Sequence, residues 1–118
     1  MDLETVKTYN VQIWVGFKEQ YDGLVHTIEE LKKICQDYVN DIKPCVTLNP
    51  TEFIYTGGNE PGALIGLIQY SRFHREESEI VSIAINLANK IMEMFGQFRV
   101  SIITPEMTYM LKNSKLIK

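Results

Sequence analysis

Over residues 10–18, NVQIWVGFK, apolar side chains recur at every second position, so Val11, Ile13, Val15 and Phe17 share one side of a half-buried strand. Trp14 points the other way, between Gln12 and Gly16. After the turn-like EQYDG the period changes. Ile28, Leu31, Ile34, Cys35, Tyr38 and Ile42 recur at helical spacing, behind a Thr27–Glu30 capping box that satisfies free amides at a helix start. The pattern predicts a helix over 27–41 that stops at Pro44. Extended structure follows in KPCVTLNP, and Pro50 makes TEFIYT either a continuation after a bend or an edge segment.

The next punctuation is GGNEPG. Gly57, Gly58, Asn59 and Gly62 tolerate positive φ and Pro61 fixes a turn, so a hairpin is expected, with ALIGLIQY as its returning strand. Glu76, Glu77 and Glu79 then place negative charge at the start of a second helix, about 76–95. Ile80, Ile83, Ala84, Leu87, Ile91, Met94 and Phe95 form its buried stripe, and Gly96 terminates it. FRVSIITP alternates once more before Pro105. The tail, 107–118, reads as a short edge element or a frayed end. The resulting order, β-α-β-β-α-β, is that of an α+β ferredoxin-like domain: a four-stranded antiparallel sheet with both helices on one face. The whole chain, 1–118, reads as one domain with its core at about 10–106.

That architecture leaves one sheet face bare. From the first strand it would expose Gln12, Trp14 and Gly16; from the third, either Leu64, Gly66, Ile68 and Tyr70 or Ala63, Ile65, Leu67 and Gln69. Both sets are mostly apolar, and a strand apolar on two sides is normally buried on two sides. Packing between copies of the chain, through Trp14, Leu64, Gly66 and Ile68, is the expectation. Coverage by the chain's own tail, through Leu111, Leu116 and Ile117, is the alternative.

Composition narrows the function classes. The 118 residues carry a net charge of −3, which opposes binding along a nucleic-acid backbone. No run has the ~18 apolar residues needed to span a bilayer, and MDLETVKTYN lacks the pattern of a secretory leader. Cys35 and Cys45 have no metal-ligand spacing around them and fit a reducing compartment, so the expected location is cytoplasmic.

Candidate chemistry concentrates in two places. In YSRFHRE, Arg72, His74 and Arg75 sit where a strand leads into a helix, as an anion site would require. Equally, those arginines can pair with Glu76, Glu77 and Glu79 on a solvated loop. The GGNEPG turn could wrap a phosphate, but it lacks the lysine and spacing of a P-loop, and Glu60 would oppose an anion. Catalysis has little support: both cysteines read as core thiols, and His26 and His74 have no carboxylate motif linking them to a metal.

The stretch PCVTLNPTEFIYTGG resembles the trimeric ferredoxin-like proteins of the CutA and PII-like group, through Cys45, Val46, Pro50, Ile54, Tyr55 and Gly58. Thr104-Pro105-Glu106 echoes a Pro-Glu near the last strand of that family. Thr56 stands where CutA carries tryptophan, and GGNEPG is too short for the long loop of PII proteins. NEPGALIGLIQYSRF is also similar to small phage proteins, which implies sequestration of a host signalling molecule. Together these imply a homotrimer that binds a small anionic ligand, a nucleotide or a signal derived from one, at inter-subunit clefts. The expected role is sensing or sequestration without turnover, with no cofactor and no metal. The ligand-binding set is Phe53, Tyr55, Gly57, Gly58, Asn59, Glu60, Tyr70, Arg72, His74 and Arg75. The rivals are an RNA-binding module of the same element order and a small nucleotide hydrolase.

Overall fold

The structure, a computed structural model, describes residues 1–20, 23–42 and 44–117. Its elements are β1 (Asn10–Gly16), α1 (Ile28–Ile42), β2 (Val46–Tyr55), β3 (Gly58–Ile68), α2 (Glu77–Met94), β4 (Arg99–Ile103) and β5 (Thr108–Lys112). They form an α+β fold with one five-stranded antiparallel sheet in the order β2-β3-β1-β4-β5. The turn expected at EQYDG lies partly on residues 21 and 22, outside the described residues.

Five strands replace the expected four because the tail folds back. Thr104 makes this turn: its hydroxyl accepts the N–H groups of Glu106 and Met107, and its own N–H donates to the Met107 carbonyl at 2.8 Å. Val100 then pairs with Leu111 and Ile102 with Tyr109, so Leu111 packs against the core. The expected hairpin is also tighter than GGNEPG suggested. The turn is Thr56–Gly57, with Gly57 at φ +83°, and the strand resumes at Gly58. Pro50 and Pro61 are both carried within strands, and Pro50 lies on β2, the sheet edge, where a missing donor is tolerated.

One core fills the helix side of the sheet. Val11, Ile13 and Val15 of β1, Ala63, Ile65 and Leu67 of β3, and Val100 and Ile102 of β4 meet Leu31, Ile34 and Cys35 of α1 and Ile80, Ala84, Leu87 and Ile91 of α2. The capping box forms, with the Glu30 N–H donating to the Thr27 hydroxyl at 3.2 Å. α2 ends at Phe95 and Gly96, the latter at φ +61°, and the Gln97 N–H closes onto the Met92 carbonyl.

The alternation settles which residues of β3 lie on the open face: Leu64, Gly66 and Ile68, beside Gln12, Trp14 and Gly16 of β1. Ser101 and Ile103 of β4 and Met110 of β5 continue it. The tail does not cover this face. Leu111 joins the helix-side core, and Lys115 reaches Glu93 of α2 at 3.8 Å.

Candidate functional site

On the open face, register brings Trp14, Gly16, Phe53, Glu60, Arg99 and Ser101 around one depression of about 200 Å³, with Gln97 at its end. Trp14 stands opposite Leu64 on one side and Ser101 on the other, and Gly16 stands opposite Gly62. The two glycines are required here. A Cβ on Gly62 would collide with the Phe53 ring and the Val15 carbonyl; one on Gly16 would lie 2.7 Å from Glu60 Oε2. Without them the Phe53 ring and the Glu60 carboxylate could not lie down against the sheet.

The depression combines unlike groups. The Trp14 and Phe53 rings meet edge to face at 6.3 Å, the arrangement that ring quadrupoles favour. Glu60 Oε2 accepts the Lys18 backbone N–H at 2.9 Å. Gln97, buried, donates its Nε2–H to the Lys18 carbonyl at 2.7 Å, so one peptide strap is gripped from both sides. Arg99 places a cation at the rim. The Trp14 indole N–H is buried without an acceptor among the described residues, a cost of about 1–3 kcal/mol that a ligand or partner acceptor would remove.

A second, larger hollow of about 440 Å³ lies at the other end of β3, between that strand and α2, lined by Pro44, Cys45, Ile68, Tyr70, Phe73 and Ile80 among others. It is mostly apolar. Tyr70 donates its hydroxyl to the Cys45 sulfur at 3.4 Å, a contact that, with partial burial, raises the phenol above its usual range. Arg75 lines this hollow but pairs with Glu79 at 2.9 Å, and the Gln69 side chain bonds its backbone N–H and carbonyl. Cys35 is a core thiol, pushed by burial up to about 11. Cys45 is exposed, not a core thiol as the sequence suggested.

The expected ligand set is therefore divided within one chain. Phe53 and Glu60 come together beside Trp14; Tyr55, Gly57, Gly58 and Asn59 form the hairpin tip beyond them. Tyr70 and Arg75 lie past the far end of β3, an eleven-residue strand that spans roughly 35 Å. His74 borders a shallow polar hollow with Lys7 and Glu77, and Arg72 lies over the exposed Phe73 ring at 5.2 Å. Gln97, Arg99 and Ser101 were not foreseen. The alternation of FRVSIITP does put Arg99 and Ser101 opposite Val100 and Ile102, but only the strand order places them next to Trp14.

Among the described residues no group of three or more His, Cys, Asp or Glu side chains could hold a metal ion, and no helix is long and apolar enough to cross a membrane.

No family model matches the chain, and no curated protein matches it. Solved structures do. A phage SAM lyase in complex with S-methyl-5'-thioadenosine superposes with a TM-score of 0.80 at 16% identity, over 96% of this chain and 95% of that one. A phage SAM lyase in its apo state gives 0.71 at 17% identity, over 97% and 98%. The expectation of binding without turnover is corrected by these likenesses: the structures that this chain resembles end to end are of an enzyme acting on a small nucleoside-bearing molecule. The chain shares their fold.

Proposed function

We propose that this protein cleaves a carbon–sulfur bond of S-adenosylmethionine (SAM), releasing S-methyl-5'-thioadenosine, at the open-face depression. The observation that carries this reading is the end-to-end likeness, at a TM-score of 0.80, to a lyase holding that nucleoside. The local chemistry is compatible. The substrate is a sulfonium cation joined to an adenosine and to an amino acid bearing an ammonium and a carboxylate. Trp14 and Phe53 offer π faces to the cation and the base. Glu60 faces the positive groups and Arg99 the carboxylate.

The reaction needs no cofactor. A carboxylate oxygen of the substrate attacks its own Cγ as the Cγ–S bond breaks, and the bonding pair leaves on sulfur. A five-membered lactone and a neutral thioether result. Two opposite charges vanish along this path, so a site that excludes water accelerates it, because water stabilises the charged ground state more than the transition state.

The depression, at about 200 Å³, falls below the usual ~300 Å³ for a ligand pocket, and it is open on one side. A second copy of the chain closes it in this reading. Leu64, Gly66 and Ile68 beside Trp14 then lie between subunits, as a homotrimer would bury them. Strand order β2-β3-β1-β4 with both helices on one face supports a ferredoxin-like assignment for the single domain, 1–118, with β5 added at an edge. A cytoplasmic location gives access to the substrate.

The test is to incubate the purified protein with SAM and identify products by chromatography and mass. Equal amounts of S-methyl-5'-thioadenosine and homoserine lactone are expected. Glu60→Gln should lower the rate by about a hundredfold, the scale of a misplaced substrate. Intact SAM after prolonged incubation would overturn the proposal.

A further inference from the structure

We infer that His26 is a positioning residue: its doubly protonated ring clamps the strap Phe17–Glu19, and through Lys18 it sets Glu60 and Gln97 in the open-face depression. The role in reaction rests on the proposed SAM cleavage; the clamp itself does not.

His26 is buried and stacked on the Phe95 ring, with centroids 4.2 Å apart and planes within 2°. Its Nδ1 lies 2.7 Å from Glu30 Oε2 and its Nε2 lies 3.3 Å from Glu19 Oε2. An ionised carboxylate only accepts hydrogen bonds, so both contacts form together only when both ring nitrogens carry protons. A neutral ring keeps one and loses the other. The charges bordering the ring are Glu19 from its own loop and Glu30 from α1. α2 presents the Phe95 face, and the next charges along that seam, Lys33, Asp37 and Lys90, line a hollow with Glu30.

The strap is tied to the site by backbone. Pro61 of β3 accepts the Phe17 N–H at 2.9 Å. Having no N–H of its own, it leaves the Phe17 carbonyl to the His26 N–H at 2.7 Å. Lys18, next along, gives its N–H to Glu60 and its carbonyl to Gln97. Glu19 closes the loop, its N–H on the Leu24 carbonyl at 2.7 Å and its side chain against Gly96. Gly96 permits this: a Cβ there would lie 2.7 Å from Glu19 Cγ. Loss of the Nε2 contact frees Glu19, and the strap that aims Glu60 loses its outer anchor.

The test follows amide hydrogen exchange at Phe17, Lys18 and His26 from about pH 5.5 to 8.5, the range in which imidazoles titrate, corrected for base catalysis. Protection at Lys18 should fall about tenfold across this range as the clamp opens. In Glu19→Gln, whose neutral side chain replaces the carboxylate beside Nε2, protection at Lys18 at about pH 5.5 should be lower than in the unmodified protein. In His26→Gln, protection at Lys18 should be low and independent of pH. The rate of S-methyl-5'-thioadenosine release should follow the same profile in each protein. Corrected protection that is flat with pH in the unmodified protein, or unmoved by Glu19→Gln, would overturn the inference. A pH-dependent strap in a protein that leaves SAM intact would uphold the clamp and overturn the lyase reading.

Discussion

Gly16→Ala isolates the Glu60 carboxylate without touching it. The new methyl would lie 2.7 Å from Oε2 and 3.1 Å from Cδ of Glu60, where ordinary contact begins near 3.4 Å. The carboxylate must retreat by most of an ångström, and its 2.9 Å bond from the Lys18 N–H breaks. A hydrogen bond to a charged group contributes about 1.5–3 kcal/mol. Removing a glycine returns about 0.4–1 kcal/mol by restricting the unfolded chain. The net loss is about 1–2 kcal/mol, which for 118 residues lowers Tm by roughly 4–8 °C. The rate should fall much further, by about a hundredfold for a 1 Å misplacement of the substrate that Glu60 orients. Urea unfolding and timed release of S-methyl-5'-thioadenosine measure the two effects on one preparation. A folded variant with an unchanged rate would refute the role of Glu60, whatever its Tm.

Leu64→Lys puts a charge opposite Trp14 at the centre of the open face; it should cost about 2 kcal/mol or more per interface and yield single chains in sedimentation velocity, whereas an unchanged sedimentation coefficient would remove the proposed packing. Iodoacetamide at about pH 8 should alkylate the exposed Cys45 alone in the folded protein and both thiols in urea, because burial holds Cys35 near 11; two additions at one rate would contradict that burial. Glu30 is held below the usual carboxyl range, mainly by its bond from His26. A depressed folded-state value means that the contribution is complete above the unfolded-state value and lost as pH falls through the folded one. Urea midpoints of the unmodified protein and Glu30→Gln should therefore converge on acidification below about pH 4, and a gap that persists there would refute it.

The parts of the fold that follow from periodicity were readable from the chain. Val11, Ile13 and Val15 announce a strand, and the Leu31–Tyr38 stripe behind Thr27 a helix, because each pattern fits one secondary structure. β5 was legible only as one of two alternatives, a short edge element or a frayed end, since TYMLK has neither clear alternation nor a strong apolar side, and its turn at Thr104 and its register with β4 hold it. The GGNEPG segment misled for a related reason: glycine and proline permit a turn but do not demand one, and pairing with β2 wins. The open apolar face was legible in Trp14, Leu64 and Ile68. The depression upon it was half legible. Phe53 and Glu60 were named, while Gln97, Arg99 and Ser101 reach them only through the β1–β4 pairing, a contact between residues more than eighty apart in sequence. Within one chain Arg72 and Arg75 lie apart from them, since a strand as long as β3 keeps its two ends apart.

The chain has a single tryptophan, so its indole N–H gives one resolved signal in a ¹H–¹⁵N correlation spectrum. Titration with S-methyl-5'-thioadenosine tests directly where the nucleoside sits. The account predicts that the Trp14 indole signal and the Gly16 and Lys18 amides move together and saturate. Shifts confined to Cys45, Tyr70, Phe73 and Ile80, with Trp14 unmoved, would place the nucleoside in the other hollow and contradict it.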